Sequence, residues 1–154
     1  AEYAPKQPQT KDNAMDINHL QTGDELPTRQ HTATNVSLFM YNAAVWNHHR
    51  IHYDEKYTTE IENHPGIVID GPLQGDWLSQ VALNWLGDEG QLIKFDYSNR
   101  RAAYLGETLT SGGRVTAVDA PRGHVELELY IKNDQDEVIT PGHATVLIRP
   151  AASS

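Results

Sequence analysis

Residues 73–86 constrain the fold of this chain more than any other stretch. Read as a helix at about 100° per residue, they place Leu78, Ala82 and Leu86 together with Trp77, Val81 and Trp85 over an arc of roughly 180°, wider than the apolar stripe of a surface helix. A helix of this kind must be embraced by other structure on more than one side, with Asp76, Gln80 and Asn84 left on its less buried face. Asp70-Gly71-Pro72 precedes it as a turn that can start a helix, because proline is tolerated in the first turn, where its missing N–H would have no partner in any case.

The segments that follow supply the embrace. After Gly90 the chain reads as antiparallel β structure, with a strand at 92–97 and strand material at 107–117 on either side of a bend at Gly112-Gly113. Residues 125–132 alternate, with Val125, Leu127, Leu129 and Ile131 inward and Glu126, Glu128 and Lys132 outward. A turn at 133–136 and a final strand at 143–149, stopped by Pro150, complete this half.

Upstream, Gly23-Asp24 and Pro27 suit the entry to an edge strand, and 32–40 predicts a strand with Val36, Leu38 and Met40 on one side. Residues 41–61 predict one or two short helices broken by a loop near 47–50, and Pro65-Gly66 stops them. A long apolar helix beside several strands is an α+β layer arrangement. The 154 residues, 38% of them hydrophobic, fit one domain over 17–150, flanked by a flexible N-terminal arm at 1–16 and a tail at 151–154.

Composition removes whole classes of function. With no cysteine there is neither a disulfide framework nor a thiolate-held metal or cluster, which fits a reducing, cytoplasmic setting. No apolar run approaches the roughly 18 residues of a membrane span, and the polar start is no signal peptide, so a soluble protein is expected. A formal charge of -9 argues against nucleic acid or an anionic membrane as partner.

The chemistry is concentrated in Trp46-Asn47-His48-His49-Arg50-Ile51-His52-Tyr53-Asp54, which carries more ionisable and amide groups than a packing segment needs. His48 and His52 stand at i, i+4 and His49 and His52 at i, i+3, so a helix could aim a pair at zinc, but no second group of ligands accompanies them and no metal is expected. Gly71 would offer a bare backbone N–H at the start of the long helix, where the macrodipole favours negative charge.

These residues carry a family resemblance. Asn47-His48-His49-Arg50-Ile51-His52 resembles the Gly-Asp-x-Asn-Pro-(Leu/Ile)-His signature of the (R)-specific enoyl-CoA hydratases, the MaoC-like dehydratases of the hot-dog fold. Ile51, His52 and Asp54 match, whereas the signature aspartate is here Asn47, its asparagine His49 and its proline Arg50. Asp70-Gly71-Pro72-Leu73 is similar to the downstream His-Gly-Met-Leu, and Leu105-Gly106-Glu107-Thr108-Leu109 looks like the family's turn into a later strand. The wider run from Trp46 to Asp54, with Pro65-Gly66 beyond it, resembles the mesaconyl-CoA-hydratase-like branch.

The resemblance implies a hot-dog fold, a long central helix wrapped by an antiparallel sheet, and a hydratase or dehydratase working on a coenzyme A or acyl-carrier thioester without a separate cofactor. It also implies a homodimer or a mixed assembly with another hot-dog subunit. Adding water across such a double bond needs a base for the water, an acid for the α-carbon and a donor for the charge that grows on the thioester oxygen. On this reading His52 is the general acid/base, Asn47 an orienting amide that cannot itself take a proton, and the Gly71 amide the oxyanion hole.

His49, Arg50, Asp70, Pro72 and Leu73 would line the substrate, and Lys94, Arg100, Arg101 and Arg114 would meet coenzyme A phosphates or else form a solvated strand surface. Arg50 could instead be an exposed ion-pair partner, Asp54 a solvated residue or the support of a ring nitrogen, and Asp70 an ionised group and a poor acid at the helix start. A hot-dog thioesterase and a non-catalytic, acyl-binding subunit are the alternatives, the second because Asn47 stands where an acid belongs.

Overall fold

A computed structural model describes residues 16–149, and the arm and tail expected at 1–16 and 151–154 lie outside them but for Asp16. The long helix α3, Gly71–Leu86, forms as the apolar arc predicts, with proline in its first turn and Gly87 closing it at φ 57°. It buries Leu78, Val81, Ala82 and Leu86, leaves Trp77 and Trp85 half-buried against the core, and exposes Asp76, Gln80 and Asn84.

Five strands wrap this helix: β1 (Glu25–Thr32), β2 (Gly90–Tyr97), β3 (Thr108–Asp119), β4 (His124–Lys132) and β5 (Val138–Ile148). They form one antiparallel sheet in the order β1-β3-β4-β5-β2. The alternation in β4 turns Val125, Leu127, Leu129 and Ile131 inward, where Leu109, Val115, Val146 and Ile148 join them against α3. Each fully buried leucine or isoleucine contributes about 1.5–3 kcal/mol of transfer free energy. At the rim of the core, His31 of β1 stacks on Trp77 with ring centroids 4.3 Å apart, and its Nε2 lies 2.8 Å from the Ser111 hydroxyl.

Three expectations are corrected. The strand expected at 32–40 is instead β1 ending at Thr32 followed by the helix α1, Asn35–Ala44. A capping box decides this: the Ser37 N–H donates to Thr34 Oγ1, while the Thr34 N–H donates to Ser37 Oγ. Leu38 and Asn42, four residues apart, then face inward, and Val36, Phe39 and Met40 are exposed.

The bend expected at Gly112-Gly113 is absent, because β3 runs through both glycines. Their lack of side chains serves close approach, since a Cβ at Gly113 would sit 2.6 Å from the Glu128 carbonyl oxygen. β5 begins at Val138, earlier than the expected 143, and tolerates Pro141 because the Pro141 carbonyl accepts from Ser98, just past the end of β2. On that side the missing N–H breaks no ladder bond.

Between α1 and α3 the chain makes a single 3-10 turn, Arg50–His52, and the short helix α2, Glu55–Glu60, with the expected break between the helices. Ile67, Val68 and Ile69 are buried and tie to the segment before β3 through Ile69 N–H to the Ala103 carbonyl and Leu105 N–H to the Ile67 carbonyl. That tie fixes where α3 begins. Among the described residues, no helix is long and apolar enough to cross a membrane.

Candidate active site

The Arg50–His52 turn and the start of α3 come together beneath α1. His52 is 7% exposed, and its backbone turn is pinned by Val68 N–H donating to the Ile51 carbonyl. Its Nδ1 lies 2.8 Å from the Val68 carbonyl oxygen. A carbonyl can only accept, so Nδ1 carries a hydrogen and the ring's other nitrogen, Nε2, is the one left for chemistry. That nitrogen lies 3.6 Å from Asp70 Oδ1.

Asp70 is fully buried. Asn42 Nδ2 donates to its Oδ2 at 3.0 Å and Asn47 Nδ2 donates to its Oδ1 at 3.2 Å. Asn42 Nδ2 also donates to the Leu38 carbonyl, so α1 holds the amide in place, while Asn42 Oδ1 is buried with no partner among the described residues. Asn47 is fixed in turn by accepting the His49 N–H on its own Oδ1. The asparagine in the signature position thus faces inward and holds a carboxylate. Asp70, expected to line the substrate, sits behind His52 with no surface of its own open to a ligand.

Gly71 follows directly. The Gln74 N–H bonds to the Asp70 carbonyl, Pro72 has no N–H, and among the described residues no protein acceptor meets the amides of Gly71 and Leu73. Two donors at a helix start therefore stand next to the buried carboxylate. Asn99 packs over Gly71 so closely that a methyl group there would collide with its side-chain amide. The Thr140 hydroxyl donates to Gln74 Oε1 at 2.6 Å and lies 3.3 Å from Asn99 Oδ1.

Asn42, Gln74, Asn99 and Thr140 escaped the sequence reading. Gln74 had a signal, being a polar residue four positions before Leu78 on the buried face of α3. Nearby, Tyr41 donates its hydroxyl to Asp76 Oδ2 at 3.0 Å, and burial followed by that carboxylate pushes its ionisation well above the ordinary tyrosine range.

The other expected site residues divide. His49 meets His52 edge-on at 5.7 Å between ring centroids and is exposed, Pro72 is exposed in the first helical turn, and Leu73 packs half-buried against the core. Arg50 Nε and Nη2 both donate to Asp54 Oδ2, at 3.0 and 2.6 Å, and its guanidinium lies over the Tyr57 ring, the ion-pair role.

Asp54 also caps α2 by accepting the Tyr57 N–H, which with Arg50 holds its carboxyl below the usual range; it supports that helix and no ring nitrogen. The basic group after the helix is dispersed. Arg101 pairs with Glu137, Lys94 sits within β2 opposite Thr145, and Arg100 is exposed beside Asn99.

Known proteins match this chain at both levels. Residues 2–105 match the family model described as hydroxyacyl-thioester dehydratase type 2. The chain is 44% identical over 45 residues to the mesaconyl-C(4)-CoA hydratase of Chloroflexus aurantiacus, covering 29% of this chain and 16% of that protein. It is 43% identical over 42 residues to the mitochondrial hydroxyacyl-thioester dehydratase type 2 of Schizosaccharomyces pombe, covering 27% of this chain and 14% of that one. The matched stretches thus span less than a fifth of either relative.

Among solved structures, an (R)-hydratase from A. caviae involved in PHA biosynthesis superposes with a TM-score of 0.77 at 16% identity, over 85% of this chain and 98% of that one. The ChsH1-ChsH2 complex of Mycobacterium tuberculosis gives a TM-score of 0.75 at 16% identity, over 84% and 98%. The MaoC-like dehydratase of Rhodospirillum rubrum gives 0.72 at 15%, over 88% and 97%. The shared architecture is the hot-dog fold, with α3 as the helix inside the wrap.

Proposed function

Because the chain belongs to the hydroxyacyl-thioester dehydratase type 2 family, we propose that it adds water to, or removes it from, the carbon pair next to the carbonyl of an enoyl-CoA-type thioester. The observation that supports this most is the meeting of a tethered imidazole with free helix-start amides. His52 is held through Nδ1 by Val68, its Nε2 faces the start of α3, and the Gly71 N–H lies there without a protein acceptor.

In hydration, His52 takes a proton from water as the oxygen bonds to the β-carbon. The displaced electron pair moves toward the thioester oxygen, where the Gly71 amide and the positive end of the helix stabilise it, and His52 then passes its proton to the α-carbon. Dehydration is the reverse. Asn47 serves as an orienting amide.

Coenzyme A or an acyl carrier would be the thiol half of the substrate, so no further cofactor is invoked. Of Lys94, Arg100, Arg101 and Arg114, Arg100 is the best placed for its phosphates, since Arg101 is engaged by Glu137, Arg114 by Glu128, and Lys94 lies within β2. A second hot-dog unit, identical or different, would complete the assembly. Support for this comes from neighbours that are two-component complexes, ChsH1-ChsH2 and HadBC, and from a MaoC-like dehydratase of which this chain matches 42%. Light scattering at twice 17.2 kDa would support the homodimer, and monomer mass until a second hot-dog chain is added would support the mixed form.

The test is to incubate the purified protein with short, branched and dicarboxylic enoyl-CoAs. Loss of double-bond absorbance without release of free thiol is the expected result. Free thiol would mean a thioesterase, and no change in either signal would favour a non-catalytic subunit.

A further inference from the structure

Asn47 stands where the signature has a carboxylate, yet the site does contain one. We propose that Asp70 replaces it from the opposite side: its carboxylate, 3.6 Å from His52 Nε2, is the buried counter-ion that stabilises the imidazolium formed when the ring takes a proton from water. The inference rests on the hydratase reading above and adds a positioning residue to it.

His52 Nδ1 faces the Val68 carbonyl at 2.8 Å and must donate to it. A proton taken from water can therefore reside only on Nε2, 3.6 Å from the Asp70 carboxylate. Both groups are buried, so little water screens the attraction between the imidazolium and Asp70. The separation exceeds a formed hydrogen bond, as is common in an empty catalytic site that tightens when filled.

Two side-chain amides hold the Asp70 carboxylate. Asn42 and Asn47 each donate to one of its oxygens, and no other cation faces it from α1, the Arg50–His52 turn or α3. The other titratable groups packed around the pair are Tyr41, engaged by Asp76, and the exposed ring of His49. An amide stands here where the signature has its aspartate and a carboxylate where the downstream motif has a histidine, and the two are in contact at 3.2 Å.

In hydration Nε2 takes a proton from the water whose oxygen bonds to the β-carbon, the imidazolium stands against the Asp70 carboxylate, and that proton then passes to the α-carbon; dehydration runs these transfers backward. Asp70 has no exposed surface, whereas His52 retains a small exposed edge, so both transfers pass through the ring and Asp70 acts behind it.

Three variants and one spectrum test this. Asp70→Asn keeps the shape but removes the counter-charge, and kcat is expected to fall about 100-fold or more with KM little changed. Asn47→Asp combined with Asp70→Asn puts the carboxylate on the other side of the same contact and is expected to recover at least about tenfold of that loss. Asn47→Asp alone crowds two carboxylates and is expected to be slower than wild type.

In ¹⁵N spectra of the wild-type protein at mildly acidic pH, His52 Nε2 is expected to hold a proton more fully than the ring of exposed His48 does, and to lose that excess in Asp70→Asn. Wild-type kcat in Asp70→Asn, a double variant no faster than Asp70→Asn, or a His52 Nε2 protonated no more than the His48 ring would each overturn the pair. The spectrum decides even if a variant fails to fold. Wild-type protein that turns over no thioester would sink the hydratase reading and leave the spectrum to judge the pair separately.

Discussion

A buried carboxylate is stable only while its oxygens have donors, and Asp70 obtains them from two asparagine side chains. Asn42→Ala removes the donor to Oδ2 and is expected to lower stability by about 1–3 kcal/mol, read from urea unfolding. His31 offers a prediction of the opposite electrostatic kind. Burial first, and Arg29 second, lower its pKa from 6.5 to about 4, so the folded protein keeps it neutral where the unfolded chain would bind a proton. The stability this represents is therefore present above pH 6.5 and is lost as pH falls toward about 4. Thermal unfolding of His31→Gln should show a shallower decline across that window than wild type.

At the scale of elements, α1 carries the most informative disagreement. Val36, Leu38 and Met40 alternate as a strand would, and in a segment this short the two periods cannot be told apart. Thr34 and Ser37 settle the matter through their capping box, a signal present in the sequence but outweighed there by the alternation. Thr34→Ala should therefore cost about 1 kcal/mol and reduce helical circular dichroism, an effect a strand would not show. By contrast, α3 and β4 were legible because each satisfies one period over its full length. The glycines of β3 were misread as a bend because their cause lies in another strand, in the Glu128 carbonyl and the Tyr130 ring that press against them.

At the scale of the whole molecule, the sequence located the helix and the wrap, and it singled out His52, which the fold brings to within 3.6 Å of Asp70 beside Gly71. It did not reveal that Asp70, Asn42 and Asn47 form one buried network, because that depends on α1 folding over the start of α3. Gln74, Thr140 and Asn99 were hidden for the same reason, joined only when β5 and the loop after β2 close over the helix. The proposed hydration requires the imidazole at the centre of this arrangement to move the protons of water. The most direct measurement is the hydration rate of one enoyl-CoA thioester by His52→Ala and by wild type, with circular dichroism confirming that both are folded. A rate about 10²–10⁴-fold lower in the variant is predicted, and a folded variant that keeps the wild-type rate would contradict it.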